Sequence, residues 1–261
     1  MDRRPRPQYT RARALLRPIA VWSLVCCLVA PATAGPPFLT DDPEPVDYRH
    51  WEFYVFSTTD KGNTAEEVQA PAFELNYGFA PNFMAHLVVP FAASLESGAP
   101  DTYGVGDMEL GIKWRFVQET AKTPMVGAFP LLEVPTGDAD RGLGNGRAWA
   151  KFPIWLQKTW GKEDHQWTTY GGGGYALNTA PGQRSYPFAG WLLQKDLSEK
   201  LTLGGELFAQ GSTEDGGQST LVANVGGYYN FTKDFCLLFS AGHSLAGEQH
   251  LVAYLGLYWT W

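Results

Sequence analysis

GDMELGIKWRF, residues 106–116, alternates without a break. Asp107, Glu109, Gly111, Lys113 and Arg115 share one parity, and Met108, Leu110, Ile112, Trp114 and Phe116 share the other. A period of two over this length predicts a β-strand with one polar and one apolar face. Alone it fits a soluble sandwich as well as a membrane barrel, because both set unlike surroundings on the two faces of a sheet. The rest of the chain separates the two. Segments of the same kind recur as far as Trp259, Thr260 and Trp261, with almost no helical periodicity between them. The predicted fold class is all-β: a closed antiparallel transmembrane β-barrel of outer-membrane type, with about 12 strands. Closure matters because hydrocarbon offers no partner to an unpaired backbone edge.

The first 34 residues read as a signal peptide. Arg3, Arg4, Arg6, Arg11, Arg13 and Arg17 form a basic start, Ile19 to Ala30 is a short apolar run, and Ala32-Thr33-Ala34 is a small-residue cleavage pattern. The run is too short for a membrane helix, which needs about 20 apolar residues. Val25 ahead of Cys26 argues against a lipid anchor. Beyond the cleavage point only Cys236 remains, so neither an internal disulfide nor a cysteine metal site is available. The whole chain carries a net charge of −7, and losing the basic signal leaves it more acidic still. Such a chain is a poor partner for nucleic acid. Residues 35–48, GPPFLTDDPEPVDY, read as a Pro-rich acidic periplasmic leader, with a seat in the barrel mouth as the sharper alternative. Residues 49–261 read as the barrel.

The expected strands include Arg49 to Thr59, Gln69 to Tyr77, Phe83 to Ala92, Gly104 to Gln118 and Pro124 to Pro135, and they continue to His250 to Trp261. Connections alternate between compact ones and longer ones rich in Gly, Asp and Glu, which places both termini on the periplasmic side. Polar parity must face the lumen, since a charge aimed at lipid costs about 2–4 kcal/mol at the bilayer midplane. The predicted pore-lining residues are Glu74, Asn76, His86, Asp107, Glu109, Lys113, Arg115, Glu133, Lys151 and Glu206. Tyr77, Trp114, Trp149, Trp191, Tyr229 and Trp259 are assigned to interfacial girdles near strand ends.

Several stretches resemble a family of outer-membrane proteins named for the meta-cleavage (MetA) pathway of phenol degradation. They are GPPFLTDDPEPVDYRHW (35–51), GVGDMELGIKWRFVQ (104–118), FPLLEVPTGD (129–138), LQKTWG (156–161), TTYGGGG (168–174) and LTLGGELF (201–208). The resemblance implies a single outer-membrane transporter barrel that takes up small compounds, aromatic ones among them. It transfers no substrate-binding residue.

Other chemistry is weakly signalled. Gly171 to Gly174 and Gly142 to Gly146 lack the following helix and Lys-Ser/Thr pair of a phosphate cradle. The first reads as a tightly packed or sharply curved strand and the second as an outer loop. His243 and Ser244 would suit a lipid hydrolase at a strand's outer end, but neighbours in a strand point to opposite faces. The remaining histidines are too scattered for a metal site. The expected function is a transporter or narrow diffusion pore for small solutes, selecting by width and lining charge. A lipid hydrolase and a closed structural barrel are the alternatives. Neither an enzyme activity nor a cofactor is expected; the expected partners are outer-membrane lipid, lipopolysaccharide and a small solute, and no oligomeric state follows.

Overall fold

The computed structural model describes residues 36–63, 65–96, 98, 100–162 and 165–261, so the stretch expected to be a signal peptide, residues 1–34, lies outside the described residues. The strands are β1 (Trp51–Lys61), β2 (Ala65–Ala80), β3 (Phe83–Glu96), β4 (Thr102–Val105), β5 (Met108–Val117), β6 (Met125–Ala128), β7 (Leu131–Val134), β8 (Trp149–Lys162), β9 (His165–Leu177), β10 (Tyr186–Asp196), β11 (Leu201–Gln210), β12 (Thr220–Asn230), β13 (Phe235–Ala246) and β14 (Leu251–Thr260). All pair antiparallel with their neighbours, and β1 closes the ring on β14 from Glu52↔Thr260 to Lys61↔Leu251. β4 with β5, and β6 with β7, are each one strand in two pieces, so the 14 segments make a closed 12-strand barrel.

Both interruptions have local causes. Gly106 and Asp107 are both buried, so the inward parity of Thr102 and Gly104 in β4 slips by one before Glu109, Gly111 and Lys113 continue it in β5. The expected strand from Gly104 to Gln118 is therefore broken where Asp107 turns toward a loop. Between β6 and β7, Pro130 has no N–H to donate, yet its carbonyl still accepts from Ile112 N at 3.2 Å, so the wall stays sealed.

Several strands outrun the expected ends. β1 and β2 pair out to Lys61↔Glu66, where the side chains form a 3.1 Å ion pair, so the loop expected from Asp60 to Val68 is mostly strand. β3 likewise reaches Glu96. Polar residues extend the ladder past the apolar band because backbone pairing does not depend on what the side chains face. At the end carrying Trp51 and Trp261, here the turn end, connections such as 81–82 and 231–234 are short. At the opposite loop end lie 135–148, 178–185 and 211–219.

The outer wall is apolar. Ile112, Phe152, Ile154, Leu207 and Leu255 are about half exposed, whereas their strand neighbours of the other parity are covered. In water this belt would be untenable; in hydrocarbon it is the expected surface. Aromatic pairs gird the turn end: Trp51 stacks on Tyr77 at 4.2 Å, Phe83 on Trp114 at 5.7 Å and Phe235 on Trp259 at 4.8 Å. Two aromatics expected in the girdles do other work. Trp149 packs inward beneath the Lys151 ammonium, 4.7 Å from its ring centroid. Trp191 faces outward from the middle of β10, where it covers Gly171. Parity and end distance alone do not reveal how strand tilt sets a residue's depth.

Gly171 to Gly174 is the tightly packed strand the sequence suggested. A Cβ on Gly172 would meet the Ile154 carbonyl oxygen at 2.1 Å, and one on Gly174 the Phe152 oxygen at 2.4 Å.

Candidate functional site: the lumen and its leader

Of the two readings offered for residues 36–48, a periplasmic leader and a seat in the barrel mouth, the contacts of these residues agree with the second. They run inside the lumen, where Thr40 and Asp42 are fully buried. The proline-rich sequence cannot pair in the sheet, so its backbone is satisfied by wall side chains instead. Glu206 on β11 accepts from Leu39 N and Thr40 N, both at 2.8 Å, and Ser240 on β13 donates to the Pro37 carbonyl at 2.6 Å. Across the ring, Lys113 on β5 lies 3.0 Å from Asp41 and 3.5 Å from Asp42, and Arg115 lies 3.6 Å from Glu44. Gln157 on β8 donates to Glu44 at 3.3 Å. The leader therefore bridges opposite walls.

Missing wall side chains make room for it. A Cβ on Gly190 would fall 2.0 Å from Thr40 Oγ1, and one on Gly127 would fall 2.9 Å from the Pro43 oxygen. At the turn end, a Cβ on Gly78 would meet the Asp47 oxygen at 2.0 Å. Burial pushes the carboxyl of Asp42 well above the usual carboxylate range, against the pull of Lys113. It raises Glu44 as well, against the pull of Arg115.

A second network climbs the wall, with no hydrogen bond or ion pair to the leader among the described residues. Tyr258 donates to Glu52 at 2.9 Å, and Asn76 donates to Glu52 at 3.4 Å and to Glu74 at 2.8 Å. The His86 ring stands between Asn76 (2.8 Å), Glu74 (3.5 Å) and Glu109 (3.2 Å). Lys151 reaches Glu109 at 3.8 Å, and Glu133 lies opposite both Glu109 and Trp149 in register. Of the ten residues expected to line the pore, six thus join one ladder: Glu74, Asn76, His86, Glu109, Glu133 and Lys151. Lys113, Arg115 and Glu206 hold the leader. Alternation identified the face, but only the closed ring decides which charges meet.

Asp107 has another task. Its carboxylate accepts from Gly137 N at 2.8 Å and Asn145 N at 2.6 Å, pinning the 135–148 loop, and a Cβ on Gly144 would lie 2.3 Å from Asp107 Oδ1. Hydrogen bonds to a charged group contribute about 1.5–3 kcal/mol each. Asp107→Ala is therefore expected to free this loop while leaving the barrel closed. Limited trypsin digestion of the folded variant should cut at Arg141 or Arg147; a loop as resistant as in the unaltered chain would refute the anchoring role.

The inward face of β1, β12, β13 and β14 is a feature the polar-parity reading passed over. Tyr54, Phe56, Tyr228, Cys236, Leu238 and Tyr258 form one buried cluster, with Tyr254 packed against it. The signal was available: if Leu255, Leu257 and Trp259 face outward, Tyr254 and Tyr258 must face in. The proposed hydrolase pair is not assembled. Ser244 Oγ accepts from His250 N and donates to the His250 carbonyl at 3.2 Å, while the His243 ring lies 2.6 Å from the Ser244 carbonyl. Among the described residues no cluster of three or more His, Cys, Asp or Glu has metal-site geometry.

An apolar-belted barrel with an occupied, charged lumen defines a transmembrane β-barrel of the outer-membrane type. The chain belongs to the family described as "Putative MetA-pathway of phenol degradation", whose pattern matches residues 53–259. Among solved structures it is similar to the COG4313 outer membrane channel from Pseudomonas putida F1, with 18% identity over 84% of this chain and 98% of that one, and a TM-score of 0.68. It is also similar to the translocator domain of the autotransporter NalP from Neisseria meningitidis, with 14% identity, 82% and 89% coverage and a TM-score of 0.53. The NanC porin matches with 8% identity, 79% and 98% coverage and a TM-score of 0.53. At these identities the likeness is one of fold. The search of curated proteins returned no match.

Proposed function

We propose that this chain is exported by a cleaved signal peptide to the outer membrane of a Gram-negative cell, where it is a narrow pore or transporter for small solutes. Its leader is the plug of its own lumen, the turn end faces the periplasm, and outer-membrane lipid and lipopolysaccharide surround the wall. The observation that carries this reading is the leader's attachment to facing walls through β5 and β11 by side-chain contacts, with strand pairing confined, among the described residues, to the bridge of Tyr48 with Gly78 at its end. A plug held in this way can leave without opening the sheet. With the leader displaced, the passage runs between the ladder from Glu52 to Lys151 on one side and the tyrosine-rich face of β1, β12 and β14 on the other. That pairing of surfaces suits small solutes with an apolar ring and a polar group, and family membership supports the same class. A role as a lipid hydrolase has no assembled nucleophile and base behind it.

The test is single-channel recording of the mature chain in a planar bilayer. Discrete steps that become frequent when the leader is unseated are expected. Absence of current, with the leader in place and with it displaced, would leave the closed structural barrel as the better reading.

A further inference from the structure

Lys113 and Arg115 differ from Lys151 in the source of their partners. Lys151 pairs with Glu109, which is on the wall. Among the described residues, every carboxylate within ion-pair distance of Lys113 or Arg115 belongs to the leader: Asp41, Asp42 and Glu44. With the leader in place Lys113 is 4% exposed, and its ammonium lies 4.7 Å from the Phe129 ring centroid, so release of the leader strips a buried ammonium of both its carboxylates at once. Removing one member of a buried pair is strongly unfavourable. The leader can leave at small cost only if another anion takes its place.

The wall beside these cations is shaped for that anion. Arg115, Gly127 and Trp155 stand in one cross-strand row on β5, β6 and β8. The gap left by Gly127 is filled by the leader's Pro43. Among the described residues Trp155 Nε1 has no hydrogen-bond partner, although the residue is 3% exposed. An indole N–H can only donate. A buried unpaired donor in the same cross-strand row as Arg115 is a group that an anion held there could satisfy.

We infer that Asp41 to Glu44 is a tethered occupant of an anion-binding site formed by Lys113, Arg115 and Trp155, and that the ligand exchanging with it is a small organic carboxylate. The inference rests on the leader being a releasable plug, and it names the solute class for that passage. Carboxylate is favoured over phosphate because three carboxylates are what the site accommodates, and because Phe129 sets an apolar surface beside the ammonium.

The probe is benzoate, with uncharged benzamide as its control, in equilibrium dialysis against the full mature chain folded in detergent. In D41N/D42N/E44Q the leader can no longer satisfy the cations, and benzoate should bind roughly tenfold or more tightly than to the unaltered chain. Adding K113Q and R115Q should abolish the gain, and benzamide should show none. Heat-dependent electrophoretic mobility checks folding, and G190V, which crowds the leader at Thr40, provides a second route to the vacated site if the triple variant does not fold. Benzoate binding unaffected by K113Q and R115Q, no binding in any variant, or equal binding of benzamide or inorganic phosphate would overturn the assignment. Current through G190V without benzoate binding would sink the anion site and spare the pore. Binding without current would do the reverse.

Discussion

Gly190→Val is expected to raise the ratio of open to plugged barrel by about 5- to 150-fold. The added Cβ alone would lie 2.0 Å from Thr40 Oγ1 and 2.8 Å from Phe208 Cδ2, well inside contact distance. Overpacking of this kind costs about 1–3 kcal/mol, which converts to that range of ratios. The cost falls on the leader because the wall at Gly190 is held on both sides by ladders to β9 and β11, whereas the leader at Leu39 and Thr40 is held by the side chain of Glu206. Valine also suits a strand better than glycine does, so the sheet should close as before. Single-channel recording of the variant beside the unaltered chain reads the effect, and protease sensitivity at the leader gives an independent measure. Identical open probability in the two chains would show that the leader is not what limits current.

Leu207→Arg is expected to destabilise the folded barrel by about 2–4 kcal/mol in lipid vesicles. Leu207 lies within β11, half exposed on the outward face, one residue from the buried Glu206. The two positions differ only in the side of the sheet they face, so the pair isolates environment from strand propensity. Gln210, near the loop end of the same strand with the inward parity of Glu206, supplies the control, and Gln210→Arg should change stability by no more than about 0.5 kcal/mol. Urea titration of folding into vesicles measures both. A Leu207→Arg change as small as the control's would mean that this face meets water, and the transmembrane reading of the belt would fail.

These expectations draw on different parts of the chain's legibility. Alternation in residues 106–116 was enough to assign faces because side-chain direction in a strand follows directly from backbone geometry. It also placed Glu74, His86, Glu109 and Lys151 on the inward side. It could not show that His86 stands between two glutamates, because those contacts join residues on β2, β3, β5 and β8 whose register depends on barrel closure. Asp107 illustrates the opposite failure. It obeys the alternation in sequence yet sits at a slip between two strand pieces and serves a loop, because a carboxylate facing two backbone amides gains more there than in the lumen.

The sequence by itself determined the all-β class, the division into an apolar and a polar face and the approximate strand number, since each follows from local periodicity and from the cost of unpaired backbone in lipid. Tertiary structure alone decided where the leader lies. Four prolines and four acids between residues 36 and 48 describe a segment that cannot join a sheet, and that is equally true in water and in a lumen. Its place inside depends on Lys113, Arg115, Glu206 and the gaps at Gly127 and Gly190, which are far apart in the chain and converge only when the twelve strands close into a ring.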